Sequence, residues 1–152
     1  MAIKPDEGLM IQSHRFIEAV DREYPVRFAY LFGSRARGEA TGSSDIDIAL
    51  CFQEDYPLPE ETLIRGYLMD LGGNYFGKAV DIVSLRRAGV FLKYAVVRDG
   101  IPIKDGGGGA RAEFESLALR EYFDFRYYSD IYNNAMIADI KAQTYFGGGH
   151  GR

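Results

Sequence analysis

Four stretches of the chain read as strands. "VRFAYLF" (26–32), "SDIDIALCF" (44–52) and "KAVDIVSL" (78–85) are rich in β-branched and aromatic residues and short enough for strands. "IPIK" (101–104) predicts a fourth, and Pro102 assigns it to a sheet edge, because proline cannot donate to a ladder. Elsewhere apolar residues return at helical spacing. In "GLMIQSHRFIEAVDREY" (8–24), Met10, Ile17 and Val20 line one face, and Pro25 closes the helix. "PEETLIRGYLMDLG" (59–72) starts on Pro59 and an acidic pair, and Gly72-Gly73 predicts its stop. "RRAGVFLKYAVVRDG" (86–100) is helical in part and ends at Gly100. The stretch 111–146 has no Gly or Pro and predicts one long helix.

The order helix, strand, strand, helix, strand, helix, strand, helix predicts an α/β (α+β) domain: a small mixed sheet with helices on one face and a long C-terminal helix. The expected division is a core over 1–105, a flexible Gly-rich joint over 106–110, the helix over 111–146 and a disordered tail over 147–152.

Composition narrows the function classes. With 152 residues, 47% of them hydrophobic, the chain suits one soluble domain with a real core. A net charge of -4 argues against a broad nucleic-acid surface, so no direct nucleic-acid partner is expected. The single Cys51 forms no internal disulfide, and with only two histidines it builds no zinc site, so a reducing, cytoplasmic compartment is expected. No run approaches membrane-spanning length, and no membrane partner is expected. Cys51 itself reads as a small core residue, and His14 as a residue of the first helix without a chemical role.

The chemistry is concentrated in "GSRARGEATGSSDID" (33–47). Alternation along a strand points Asp45 and Asp47 one way and Ile46, Ile48 and Leu50 the other, toward covering helices. Two carboxylates on one side repel each other, and a hard divalent cation such as Mg²⁺ relieves that repulsion. Upstream, Gly33-Ser34 ends a strand in a turn that lets a ligand approach the backbone, where N–H groups form an anion-binding concavity. Arg35 and Arg37 lie beside it and can neutralise phosphate charge; they also read as solvated surface charges. No "GxxxxGK[ST]" occurs, so this is not a Walker loop. Asp81 interrupts the apolar third strand. Next to the second strand, it would join the same centre, giving three carboxylates for two ions facing a nucleotide's phosphates.

The glycine-serine pair, the ten-residue spacer, the Asp-x-Asp and the later Asp81 resemble the signature of the polymerase-beta-like nucleotidyltransferase superfamily, and most of all its minimal nucleotidyltransferase (MNT) group. The resemblance runs from the first strand to "VVRDGIPIK" and, more loosely, into the C-terminal helix. It implies that fold and an antitoxin of HEPN/MNT toxin–antitoxin pairs, which transfers AMP from ATP to a tyrosine of a HEPN-domain partner. Carried over by position, Gly33, Ser34, Arg35, Arg37 and Ser44 bind nucleotide, while Asp45, Asp47 and Asp81 hold Mg²⁺ and serve catalysis. Two alternatives stand beside it: a nucleotidyltransferase acting on a small molecule such as an aminoglycoside, and a module that neutralises a toxin by contact alone.

One feature lies outside this core. Phe114, Leu117, Tyr122, Phe125, Tyr128, Tyr132 and Met136 form a stripe along the last helix. Some 30 helical residues reach about 45 Å, farther than a domain of this size is wide. The surplus is expected to meet another protein or a second copy.

Overall fold

The computed structural model describes residues 6–39 and 45–149, with side chains as far as residue 143. Chain order is α1 (Glu7–Glu23), β1 (Val26–Phe32), α2 (Gly33–Arg37), β2 (Ile46–Phe52), α3 (Leu58–Phe76), β3 (Val80–Ser84), α4 (Val90–Asp99), β4 (Ile101–Lys104) and α5 (Ala110–Gly149). The four strands form one mixed sheet in the order β3-β2-β1-β4. β1 runs antiparallel to both β2 and β4, and β2 runs parallel to β3. Pro102 sits in the edge strand β4, where its missing N–H leaves no central ladder broken.

Alternation sorts the core into two layers. Ile46, Ile48, Leu50 and Phe52 of β2 join Ala29 and Leu31 of β1 and Ile82 of β3 on one face. α1 covers them with Phe16, Ile17 and Val20, and α3 with Ile64, Leu68 and Phe76. The opposite face carries Phe28, Tyr30, Ala49, Cys51 and Leu85, packed under Val96 and Leu92 of α4 and Phe114 of α5. Helices therefore reach the second face as well as the first. The reason lies in β1, whose Phe28 and Tyr30 are buried on the side away from α1 and need a cover of their own.

Two glycine segments behave differently from their expected roles. α3 passes through Gly72-Gly73 and stops at Gly77, which takes a left-handed φ of 65°. Gly72 is buried because a Cβ there would stand 3.0 Å from the Val80 side chain; it sets how closely α3 packs on β3. The run Gly106–Gly109 is a built turn in which all four residues have positive φ, from 67° to 77°. L-residues resist that conformation, and at Gly106 any side chain would also strike the Arg27 carbonyl.

Beyond this turn the root of α5 is fixed to the domain. The Tyr30 hydroxyl donates to Glu115 Oε1 (2.7 Å), and Arg111 pairs with Glu115 (2.6 Å) and Asp105 (2.8 Å). Phe114 meets Phe28 at 5.1 Å between ring centroids. Lys93 pairs with Glu121 at 2.8 Å, and Tyr122 stacks on Tyr94 at 3.6 Å. The helix spans Ala110–Gly149 and so takes in 147–149 of the expected tail 147–152; residues 150–152 lie outside the described residues.

Candidate active site

β1 ends at Phe32, and the chain turns at once through Gly33, whose φ is 76°. The five-residue α2 follows and closes at Gly38, also left-handed, with the Glu39 N–H donating to the Ser34 carbonyl (2.9 Å). Strand register then aligns the chemistry. Phe32 lies opposite Asp47 across β1 and β2, and Asp47 lies opposite Asp81 across β2 and β3. The turn at Gly33, Asp47 and Asp81 thus form one row across three strands, on the face that also carries Ala49 and Cys51. Asp45 lies one residue before β2 and is exposed, as is Asp81; Asp47 is half-buried.

Gly33 and Asp47 are in intimate contact. A Cβ on Gly33 would overlap Asp47 Oδ2 and stand 3.0 Å from Asp47 Cγ. Only glycine offers both the left-handed turn and the space for that carboxylate against the backbone. Burial pushes the Asp47 carboxyl above its ordinary value, and the charges of Asp81 and then Asp45 push it further, while Arg37 pulls it down. Asp47 therefore stands in the field of both other acids, as a carboxylate near like charges does.

Four of the five nucleotide-site candidates lie within the described residues. Ser34 and Arg35 are half-buried in α2. Arg37 is exposed, paired with Glu39 at 3.0 Å and within the field of Asp47. Ser44 lies outside the described residues. The structure adds a neighbour that sequence reasoning missed: the end of α4. Asp99 there is held below its ordinary value first by the Arg98 guanidinium (2.7 Å) and also by Arg37. Arg98 in turn lies over the Tyr94 ring at 5.6 Å. No local signal marks these residues, because only the fold of α4 over the second face brings them to α2.

The donor set suits a hard cation. It is all carboxylate oxygen, and Asp47 carries the repulsion that a cation relieves. Among the described residues no group of three or more His, Cys, Asp or Glu side chains is placed to hold a metal ion together. Mg²⁺ needs none, since it is held by one or two carboxylates and completes its shell with water and substrate phosphates.

Other titratable groups fall away from this row. His14 is exposed on α1, and Cys51 is buried, its thiol pushed up by burial. Arg86 and Arg87 brace the chain after β2: Arg86 donates to the Phe52 and Gln53 carbonyls (2.9 and 3.1 Å), and Arg87 to the Tyr56 carbonyl (2.7 Å). Glu61, one of the acidic pair at the start of α3, is fully buried, with Arg87 Nε 3.2 Å from its Oε1. Neither Glu61 oxygen has a hydrogen-bond partner, so the contact is one of charge.

The family model for "Polymerase beta, Nucleotidyltransferase" matches residues 15–106. No curated protein matches the chain. Among solved structures, a mutant of the MntA–HpeT toxin–antitoxin superposes with a TM-score of 0.66 at 23% identity, covering 84% of this chain and 98% of that one. A toxin–antitoxin with AMP-PNP gives 0.61 at 24% identity over 84% and 98%. The Shewanella oneidensis tri-AMPylated HEPN toxin in complex with MNT antitoxin gives 0.63 at 23% identity over 86% and 97%. At these identities the structural likeness speaks for the fold. The family match spans more than half of the chain, includes the turn at Gly33 and all three aspartates, and places this protein in the polymerase beta nucleotidyltransferase family.

Proposed function

We propose that this chain is a Mg²⁺-dependent protein adenylyltransferase, an antitoxin that moves AMP from ATP to a tyrosine of a HEPN-domain toxin. The observation that carries the reading is the row formed by the Gly33 turn, Asp47 and Asp81, with Asp47 pressed on the Gly33 backbone. The turn at Gly33-Ser34 seats the triphosphate, and Arg35, Arg37 and Ser44 add donors. Asp45 and Asp47 hold Mg²⁺, and Asp81 completes the set for a second ion. When bound, the metal offsets the charge gathering on the phosphates. The tyrosine oxygen bonds to the α-phosphorus, the bond to the bridging oxygen breaks, and pyrophosphate leaves with the electron pair. The phenol, whose pKa is about 10 in isolation, gives its proton to the exposed Asp81 carboxylate. A reducing cytoplasm suits the buried, unpaired Cys51.

The test is intact-mass spectrometry of a co-expressed HEPN-domain protein. Wild type adds one AMP mass or more. Asp81→Asn lowers turnover strongly and nucleotide affinity little. A partner that gains no mass beside active wild type refutes the protein-acceptor reading, and label on a small molecule instead points to the other enzyme class.

A further inference from the structure

The far half of α5 has no cover in its own domain. Beyond Tyr122 the side chains of Phe123, Tyr127, Tyr128, Ile131 and Tyr132 are about half to two-thirds exposed, and Met136, Ile137 and Ile140 are exposed as well. The ties at Glu115, Glu121 and Tyr122 fix the direction of the helix, so this half projects as an arm. An arm with an apolar face gains its stability in water from whatever buries that face.

The spacing along the arm shows what fits. Phe125, Tyr128, Tyr132, Ala135, Asp139 and Ala142 recur at alternating steps of three and four, the seam of a helix pair. The seam is self-complementary when a second copy runs antiparallel. Phe125 then faces the other copy's Ala142, and Tyr132 faces its Ala135, so that large meets small at each layer. Tyr128 faces Asp139, where the phenol can donate to the carboxylate. Ile131 flanks Ala138, and Ser129 flanks Met136. Arg126, Asp130 and Lys141 fall on the outer side of both helices, so no like charges meet. A parallel pair would instead set Tyr on Tyr and Asp139 on Asp139. The area also suffices. Half-exposed Phe125, Tyr128, Ile131, Tyr132 and Met136 offer on the order of 500 Å² per copy, or about 1,000 Å² in total, which reaches the lower bound of a specific interface.

We infer that the chain forms a homodimer through an antiparallel pairing of its two α5 arms, centred between Tyr132 and Ala135. The dimer is independent of the acceptor chemistry, since every seam residue lies beyond the Gly33, Asp47 and Asp81 row.

Light scattering on the full chain tests the state, and single cysteines test the register. Wild type should show twice the 17.0 kDa chain mass. Tyr132→Glu with Ala135→Glu puts like charges opposite each other and should give a monomer that keeps the wild-type melting of the core and its Mg²⁺–ATP binding. In a Cys51→Ser background, Phe125→Cys chains mixed with Ala142→Cys chains should form a disulfide, and neither alone should. A wild-type chain that is monomeric throughout overturns the inference, as does a Phe125→Cys chain that links to itself. Dimer mass that appears only with an added HEPN-domain protein assigns the arm to that partner and overturns it too.

Discussion

Replacing Gly33 by alanine tests the contact at the centre of the site. Gly33 sits at φ 76°, where an L-residue costs about 1–2 kcal/mol. For a domain of this size each kcal/mol lowers the melting temperature by about 2–4 °C, so the backbone part alone predicts a loss of about 2–8 °C. The new Cβ would also overlap Asp47 Oδ2, with Asp47 Cγ at 3.0 Å and Cβ at 3.2 Å. The Asp47 backbone cannot give way, because β2 is paired on both sides. Its carboxylate must swing out of the row, and a displacement of about 1 Å costs about a hundredfold in rate. Thermal melting and AMP transfer on the same preparation read the two parts. In an Asp47→Ala background the carboxylate is gone, so Gly33→Ala should cost less stability there than in wild type. Equal costs in both backgrounds would refute the contact, and full transfer by Gly33→Ala would refute the placement of Asp47 at the reacting centre.

Three further outcomes follow from the charges and the buried polar groups. Asp47 has a folded value above its ordinary 3.8, so its contribution to stability is present below pH 3.8 and is lost as pH rises through the raised value. Asp47→Asn should therefore hold or raise the melting temperature at pH 7, flatten its pH dependence across that window and abolish stabilisation by Mg²⁺–ATP; a large drop at pH 7 would make Asp47 structural. Arg87→Ala leaves the fully buried Glu61 without its counter-charge and should cost about 3–5 kcal/mol in urea unfolding, most of it regained with Glu61→Gln; no regain would refute the charge account. Tyr30→Phe removes a 2.7 Å donor to Glu115 and should cost about 1.5–3 kcal/mol, which urea unfolding against wild type would measure; an unchanged midpoint would mean the bond does not anchor α5.

Much of the site is legible along the chain, because strand alternation is a local rule. Ile46, Ile48 and Leu50 are buried on one face, and Asp47 stands on the other, as two-residue periodicity requires. The break at Gly33-Ser34 and the edge position of Pro102 also follow from the residues themselves. Register does not, since which residue of β3 lies beside Asp47 depends on how α3 carries the chain across. That crossover turns on Gly72, which allows close packing rather than ending the helix. The Gly106–Gly109 run reads as slack in composition, yet takes four left-handed residues in a row, and at Gly106 the Arg27 carbonyl leaves no room for a side chain. Nothing in the chain near Glu61 marks it as buried, and its counter-charge Arg87 reaches it only through the fold. Backbone geometry and side-chain periodicity act within a few residues and so are written in the sequence. Cover of the second face, the charge partner of Glu61 and the meeting of Asp47 with Asp81 join residues far apart in the chain, and only the packing of the whole fold decides them.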